Sequence, residues 1–106
     1  MARESEFEKH LIEQIMRAYP GAIILKNNAN LIQGIPDRLV LWGPRWAAFD
    51  AKESEKAPKR PNQDYYIREM NDMSYASFVY PQNEEVFLNE LQQALRSNRR
   101  TRISIG

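Results

Sequence analysis

Between positions 5 and 19, apolar residues recur at spacings of three and four: Phe7, Leu11, Ile12, Ile15, Met16 and Tyr19 form one stripe. That period predicts an amphipathic helix. Ser5 followed by Glu8 has capping-box spacing, and Pro20-Gly21 supplies the stop. An isoleucine-rich run at 22–26 reads as a strand, and the polar stretch 27–34 as a loop. Arg38-Leu39-Val40-Leu41-Trp42 reads as a second strand, closed by the turn pair Gly43-Pro44. Positions 45–52 then make a third strand, in a hairpin with the second. The charged segment 53–61 carries Pro58 and Pro61 and reads as a loop. Positions 62–73 read as a helix, with Tyr65, Tyr66, Ile67 and Met70 available for its buried side. A strand at 77–80 ends at Pro81. Asn83 is the expected N-cap of a last helix, with Glu84 and Glu85 in the first turn, where carboxylates suit the helix dipole. Its stripe is Val86, Phe87, Leu88, Leu91 and Leu95. Positions 97–106 read as a frayed tail, although Ile103 and Ile105 alternate as an edge strand would. The order helix, three strands, helix, strand, helix predicts an α/β (α+β) domain, a sheet of about four strands flanked by helices.

At 106 residues the chain fits one domain, 1–106, with no repeat and no linker. No apolar run approaches the ~18 residues of a membrane span, and the first residues lack a signal-peptide core. A protein free of the membrane is expected, and the absence of cysteine fits a reducing cytoplasm. Cysteine's absence also excludes disulfides and thiolate zinc sites. The single histidine, His10, leaves no material for a multi-histidine metal site, so any metal must be held by oxygen. His10 itself is expected to be exposed on the first helix, without a role. Net charge is only +1, but positive charge is local: Lys56, Lys59 and Arg60 crowd one segment, and Arg96, Arg99, Arg100 and Arg102 crowd the C-terminal end. Such clusters are either solvated stretches or phosphate contacts. Lys26 and the run Asn27-Asn28-Ala29-Asn30 have the same two readings. Trp42, Trp46, Tyr65 and Tyr66 are expected in the core rather than as base-stacking surfaces.

Asp50-Ala51-Lys52 follows a largely apolar strand. Side chains two apart on a strand share a face, so a carboxylate and an ammonium project together. Alone, such a triplet is most often an ion pair of structural value. Gly34-Ile35-Pro36-Asp37 is a rigid corner that delivers Asp37 to the mouth of the second strand. By itself, that aspartate can simply satisfy its own turn. Pairing the two strands around Gly43-Pro44, however, sets Asp37 opposite Asp50. Two acids so placed repel unless a cation or a proton relieves them. An oxygen site of this kind suits Mg²⁺, with Mn²⁺ able to substitute. With Lys52 alongside, the set is the minimum for metal-assisted phosphodiester hydrolysis.

The motifs Gly34-Ile35-Pro36-Asp37, Phe49-Asp50-Ala51-Lys52 and Gln63 at a helix start resemble, in order and spacing, the PD-(D/E)XK nuclease superfamily. Among its branches the chain is most similar to the VRR-NUC domains, over about positions 4–95. The resemblance implies a restriction-endonuclease-like αβββαβ core with Asp37, Asp50 and the Ala51 backbone carbonyl as metal ligands. Lys52 is then the catalytic lysine, and Gln63, on the helix after the lysine strand, lies beside the active site. The family's acid on the first helix falls on Glu8, with Glu4 second. Asp50 stands where this branch usually has glutamate, and Asn71-Asp72 replaces a glycine that separates the glutamine helix from the next strand. Asn can adopt the left-handed conformation glycine would supply. The implied function is a Mg²⁺-dependent endonuclease that hydrolyses DNA phosphodiester bonds, with selectivity for branched, flap or four-way-junction DNA and action as a homodimer among the expectations. Lys26, Lys56, Lys59 and Arg60 are its candidate DNA contacts, and the bacterial cytoplasm its place if the gene is phage-borne. A non-catalytic nucleic-acid-binding module of the same fold is the alternative.

Overall fold

The computed structural model describes residues 2–96, with side chains from residue 6 onward. Helix α1 spans Ala2–Ala18, starting three residues before Ser5, the N-cap that the capping box predicts. Ala2, Arg3 and Glu4 are all good helix formers, so the helical backbone runs through Ser5, which is therefore not its first capping position. Leu11, Ile15 and Tyr19 are buried, and Gly21, at φ +88°, turns the chain into β1. Strands β1 (Ile23–Lys26), β2 (Arg38–Trp42) and β3 (Arg45–Ala51) form an antiparallel meander. Helix α2 (Gln63–Met73) then crosses over to β4 (Ala76–Val79), which lies parallel to β3. The last helix, α3, is Glu84–Arg96. Among the described residues, three α-helices and one four-stranded mixed sheet, ordered β1-β2-β3-β4, thus give the expected αβββαβ order followed by a helix.

Strand alternation divides the sheet into two unlike faces. Val40, Ala47, Phe49, Ala51 and Val79 join Leu11 and Ile15 of α1 and Phe87, Leu91 and Leu95 of α3 in one core. Phe49 and Phe87 meet edge-on with ring centroids 5.4 Å apart. Each such side chain, fully buried, contributes roughly 1.5–3 kcal/mol. Trp42 packs on Tyr19 at 5.2 Å, its indole N–H donates to the Pro20 carbonyl, and the Arg96 guanidinium lies over both rings. Arg96 therefore ties α3 to α1 and β2. Arg99, Arg100, Arg102, Ile103 and Ile105 lie outside the described residues.

The second face carries Asp50, Ala48, Ala76 and Phe78, and α2 packs over β3 and β4 there. Ala48 and Ala76 are small and almost fully buried, which admits a helix at close range. Three local expectations change here. Asn83 does not cap α3 but sits in a 3₁₀ turn (Pro81–Asn83), where its side chain accepts from the Tyr80 N–H and donates to the Phe78 carbonyl. Asn71 is helical, not left-handed; its Oδ1 accepts the Ala76 N–H and so links α2 to β4. Tyr65 is exposed rather than core, stacked edge-on against Tyr66 at 4.9 Å. No helix among the described residues is long and apolar enough to cross a membrane.

Candidate active site

Asp50 and Lys52 leave β3 on the face opposite the aromatic core, because Phe49 and Ala51 point into that core. Asp50 is 2% exposed and Lys52 9%. The hairpin register pairs Arg38 with Phe49, so the next step sets Asp37 beside Asp50. There the Asp37 N–H donates to Asp50 Oδ2 at 3.2 Å. The two acids predicted to face each other across adjacent strands do so.

Gln63, the first residue of α2, is 1% exposed and uses both ends of its amide. Its Nε2 donates to Asp50 Oδ2 at 3.0 Å, and its Oε1 accepts from Lys52 Nζ at 3.0 Å and from the Arg60 N–H at 2.7 Å. Lys52 Nζ also lies 3.7 Å from Asp50 Oδ1 and donates to the Pro58 carbonyl at 3.5 Å. Burial, followed by the charge of Asp37, raises the Asp50 pKa to about 6; Lys52, the Asp37 N–H and Arg60 pull it back only in part.

The Asp37 carboxylate is more open. Lys26 Nζ stands 3.5 Å from its Oδ2 and Arg60 Nη2 3.7 Å from its Oδ1. It opens into a concavity of about 440 Å³ lined by Lys26, Asn27, Asn28, Asn30 and Arg60. Asn27 fastens this wall, its N–H to the Asp37 carbonyl and its side chain to the Pro36 carbonyl. Of the four expected DNA contacts, Lys26 and Arg60 thus reach the Asp37 carboxylate. Lys59 pairs instead with Asp64 at 3.4 Å, and Lys56 is exposed and makes no ion pair among the described residues.

The corner before Asp37 has a tighter role than turning the chain. Gly34 sits at φ +93°, and a Cβ there would fall 2.6 Å from Asn62 Cβ and 2.7 Å from the Pro61 carbonyl oxygen. Asn62 is itself left-handed, at φ 70°, immediately before Gln63. The 34–37 corner and the start of α2 are therefore one packed unit that aims Gln63 at Asp50. Gly34→Ala is expected to destabilise the fold by about 2 kcal/mol or more, through the disfavoured φ together with the clash. Urea denaturation measures the loss; an unchanged midpoint would contradict this packing.

Glu8 does not join the carboxylates. Its Oε2 accepts from Arg38 Nε at 2.8 Å, and Arg38 alternates with Asp37 onto the core side of β2. The helix acid here holds a strand arginine, while Glu4 lies where side chains are not described. Among the described residues no three acidic or imidazole side chains gather as a metal cluster. The donor set is two carboxylates on adjacent strands, of which the more exposed, Asp37, faces an open concavity. That fits a hard ion retaining several waters. Residue reasoning missed Pro58 and Asn62, which act through a backbone carbonyl and a backbone conformation that side-chain chemistry does not announce; Asn27, expected as a solvated or phosphate-contacting residue, instead fastens the Asp37 corner. No protein-family model, characterised protein or solved structure matches the chain.

Proposed function

We propose that this chain is a metal-dependent endonuclease that hydrolyses DNA phosphodiester bonds in the manner of the PD-(D/E)XK enzymes it resembles. The observation that carries the reading is a buried acid, Asp50, held beside a second acid on the adjacent strand and 3.7 Å from an ammonium. Such a cluster is costly for folding alone, and a divalent cation relieves it. Asp37, Asp50 and the Ala51 carbonyl would hold Mg²⁺, or Mn²⁺ in its place. When bound, the ion polarises the scissile phosphate and lowers the pKa of an attacking water.

The remaining work belongs to the protein. Lys52, fixed by Gln63 and Pro58, places positive charge where the phosphorane-like transition state gains negative charge. Gln63 keeps the Lys52 ammonium and the Asp50 carboxylate in register. Lys26 and Arg60, paired to Asp37 through exposed contacts, would supply positive charge to the substrate phosphates. Water oxygen bonds to phosphorus as the ester P–O bond breaks, and the water proton balances the alkoxide that leaves. The reading places the protein in the cytoplasm. Ile23 and Leu25, exposed on the sheet face beyond α2, suit a homodimer, the arrangement that branched DNA of two-fold symmetry would use.

The test is one panel: plasmid, linear duplex, single strand, flap and four-way junction, each with Mg²⁺, Mn²⁺ or EDTA. Cleavage with either ion and none in EDTA is expected. Absence of ion-dependent cleavage on every form refutes the proposal. DNA binding without it would instead favour a non-catalytic module of the same fold.

A further inference from the structure

A second cavity, of about 380 Å³, opens on the other side of Lys52 from Asp37. Its lining adds the aromatic surface that the concavity at Asp37 lacks: Phe78 and Tyr80, with Ile67 and Ala57, are set among polar groups, with Lys52 and Lys59 as the positive charges and Glu55 as the negative one. Phe78 stands opposite Asp50 in the parallel register of β3 and β4. Adjacent strands lie about 4.8 Å apart, so the aromatic floor begins one strand from the buried carboxylate. The Lys59 ammonium rests 4.5 Å from the Phe78 ring centroid and that of Lys52 5.9 Å. Apart from that ring contact, the ion pair that Lys59 makes among the described residues is an exposed one with Asp64, worth little in water.

We propose that this cavity seats one unpaired nucleobase on Phe78, beside the scissile phosphate, and so gives the site its preference for DNA with single-stranded character. The inference rests on the nuclease reading for the position of the phosphate, but the pocket itself is testable without cutting. A flat π surface flanked by aliphatic walls suits stacking, which tolerates every base, and the two ammoniums suit the attached phosphates. The volume lies in the range of small-ligand sites, about 300–1,000 Å³. A base within a duplex is paired and stacked on both sides, and must leave the helix to enter; a base in a flap, gap or junction arm is already free of that cost. The polar concavity at Asp37 offers no aromatic surface, so the strand has distinct partners on the two sides of the cleavage point.

The experiment measures equilibrium binding in EDTA by fluorescence anisotropy, for a single-stranded oligonucleotide and a hairpin duplex. Wild type is compared with Phe78→Leu, which keeps apolar bulk without a π face, and with Phe78→Tyr, which keeps the face. Phe78→Leu is expected to weaken single-strand binding about 5- to 150-fold while leaving duplex binding within about twofold. Phe78→Tyr should bind as wild type does. A 2-aminopurine base in the single strand should be quenched by wild type and not by Phe78→Leu. Should Phe78→Leu fail to fold, Ala57→Trp, which fills the cavity from its loop wall, is expected to give the same selective loss. Unchanged single-strand binding in the folded variant, or equal losses on both DNA forms, overturns the pocket. The two readings separate cleanly: selective loss without Mg²⁺-dependent cutting by wild type keeps the pocket and removes the nuclease, and the converse result does the reverse.

Discussion

Asp50→Asn is expected to stabilise the metal-free protein by about 1–3 kcal/mol at pH 8 while abolishing cleavage. In the folded chain the Asp50 carboxyl ionises near pH 6, against an ordinary value of 3.8, chiefly because it is buried and secondly because Asp37 is charged beside it. A raised carboxyl pKa means that the folded state holds the proton more tightly than the unfolded chain does. Stability from this group is complete below about pH 4 and is lost as pH rises through 6. Above that, the ionised carboxylate costs the fold about 3 kcal/mol, an upper bound for what the neutral amide recovers. Asparagine's oxygen can accept from the Asp37 N–H and Gln63 Nε2 as the carboxylate does. Its amide nitrogen would face the Lys52 ammonium, a donor against a donor, which reduces the gain.

The difference between the two proteins should therefore be small at pH 4 and largest at pH 8, a comparison in which other titrating groups cancel. Saturating Mg²⁺ should reverse the order. At a hundred times its dissociation constant, a bound ion adds about 2.7 kcal/mol to wild type and nothing to a variant that has lost the site. Chemical denaturation at the two pH values, with and without Mg²⁺, reads all four quantities. A pH-independent difference would show that Asp50 is not the strained group, and no Mg²⁺ effect would leave the cluster purely structural. Cleavage by wild type should fall below about pH 6, where the proton competes with the ion for Asp50.

Which of these features the chain announces depends on how local their causes are. The β2–β3 hairpin was legible because Gly43-Pro44 marks its turn and one turn sets every pair, including Asp37 with Asp50. The stripes of α1 and α3 were legible for the same reason: period alone selects the buried face. Helix ends were less so, since Ser5 and Asn83 carry capping chemistry that neighbouring residues override or redirect. Gln63 illustrates the limit. By residue type it is an ordinary polar group in a first turn; its burial depends on Gly34 meeting Asn62, a contact between segments far apart in the chain. Phe78 likewise becomes a neighbour of Asp50 only through the parallel crossover, whose register no local signal encodes.

The second large effect concerns Asp37 and Lys52, which should fail alike in activity and differ in stability. Asp37→Asn removes a metal ligand and is expected to lower cleavage about 10³-fold or more, some 4 kcal/mol of transition-state stabilisation. Its carboxylate also repels Asp50, and its ion pairs with Lys26 and Arg60 involve side chains more than half exposed, so they contribute at most about 1 kcal/mol. Stability at pH 8 should consequently hold or rise. Lys52→Ala should lose cleavage to a similar degree but fold less well, because Asp50 then stays buried without its nearest ammonium and Gln63 Oε1 loses a donor. Breaking a buried pair by removing one partner costs about 3–5 kcal/mol. That cost should shrink at pH 4, where Asp50 is protonated and needs no counter-charge. Cleavage assays combined with denaturation at pH 4 and pH 8 test the contrast. Asp37→Asn cutting at the wild-type rate, or Lys52→Ala keeping full stability at pH 8, would break the link between the strain in this cluster and its chemistry.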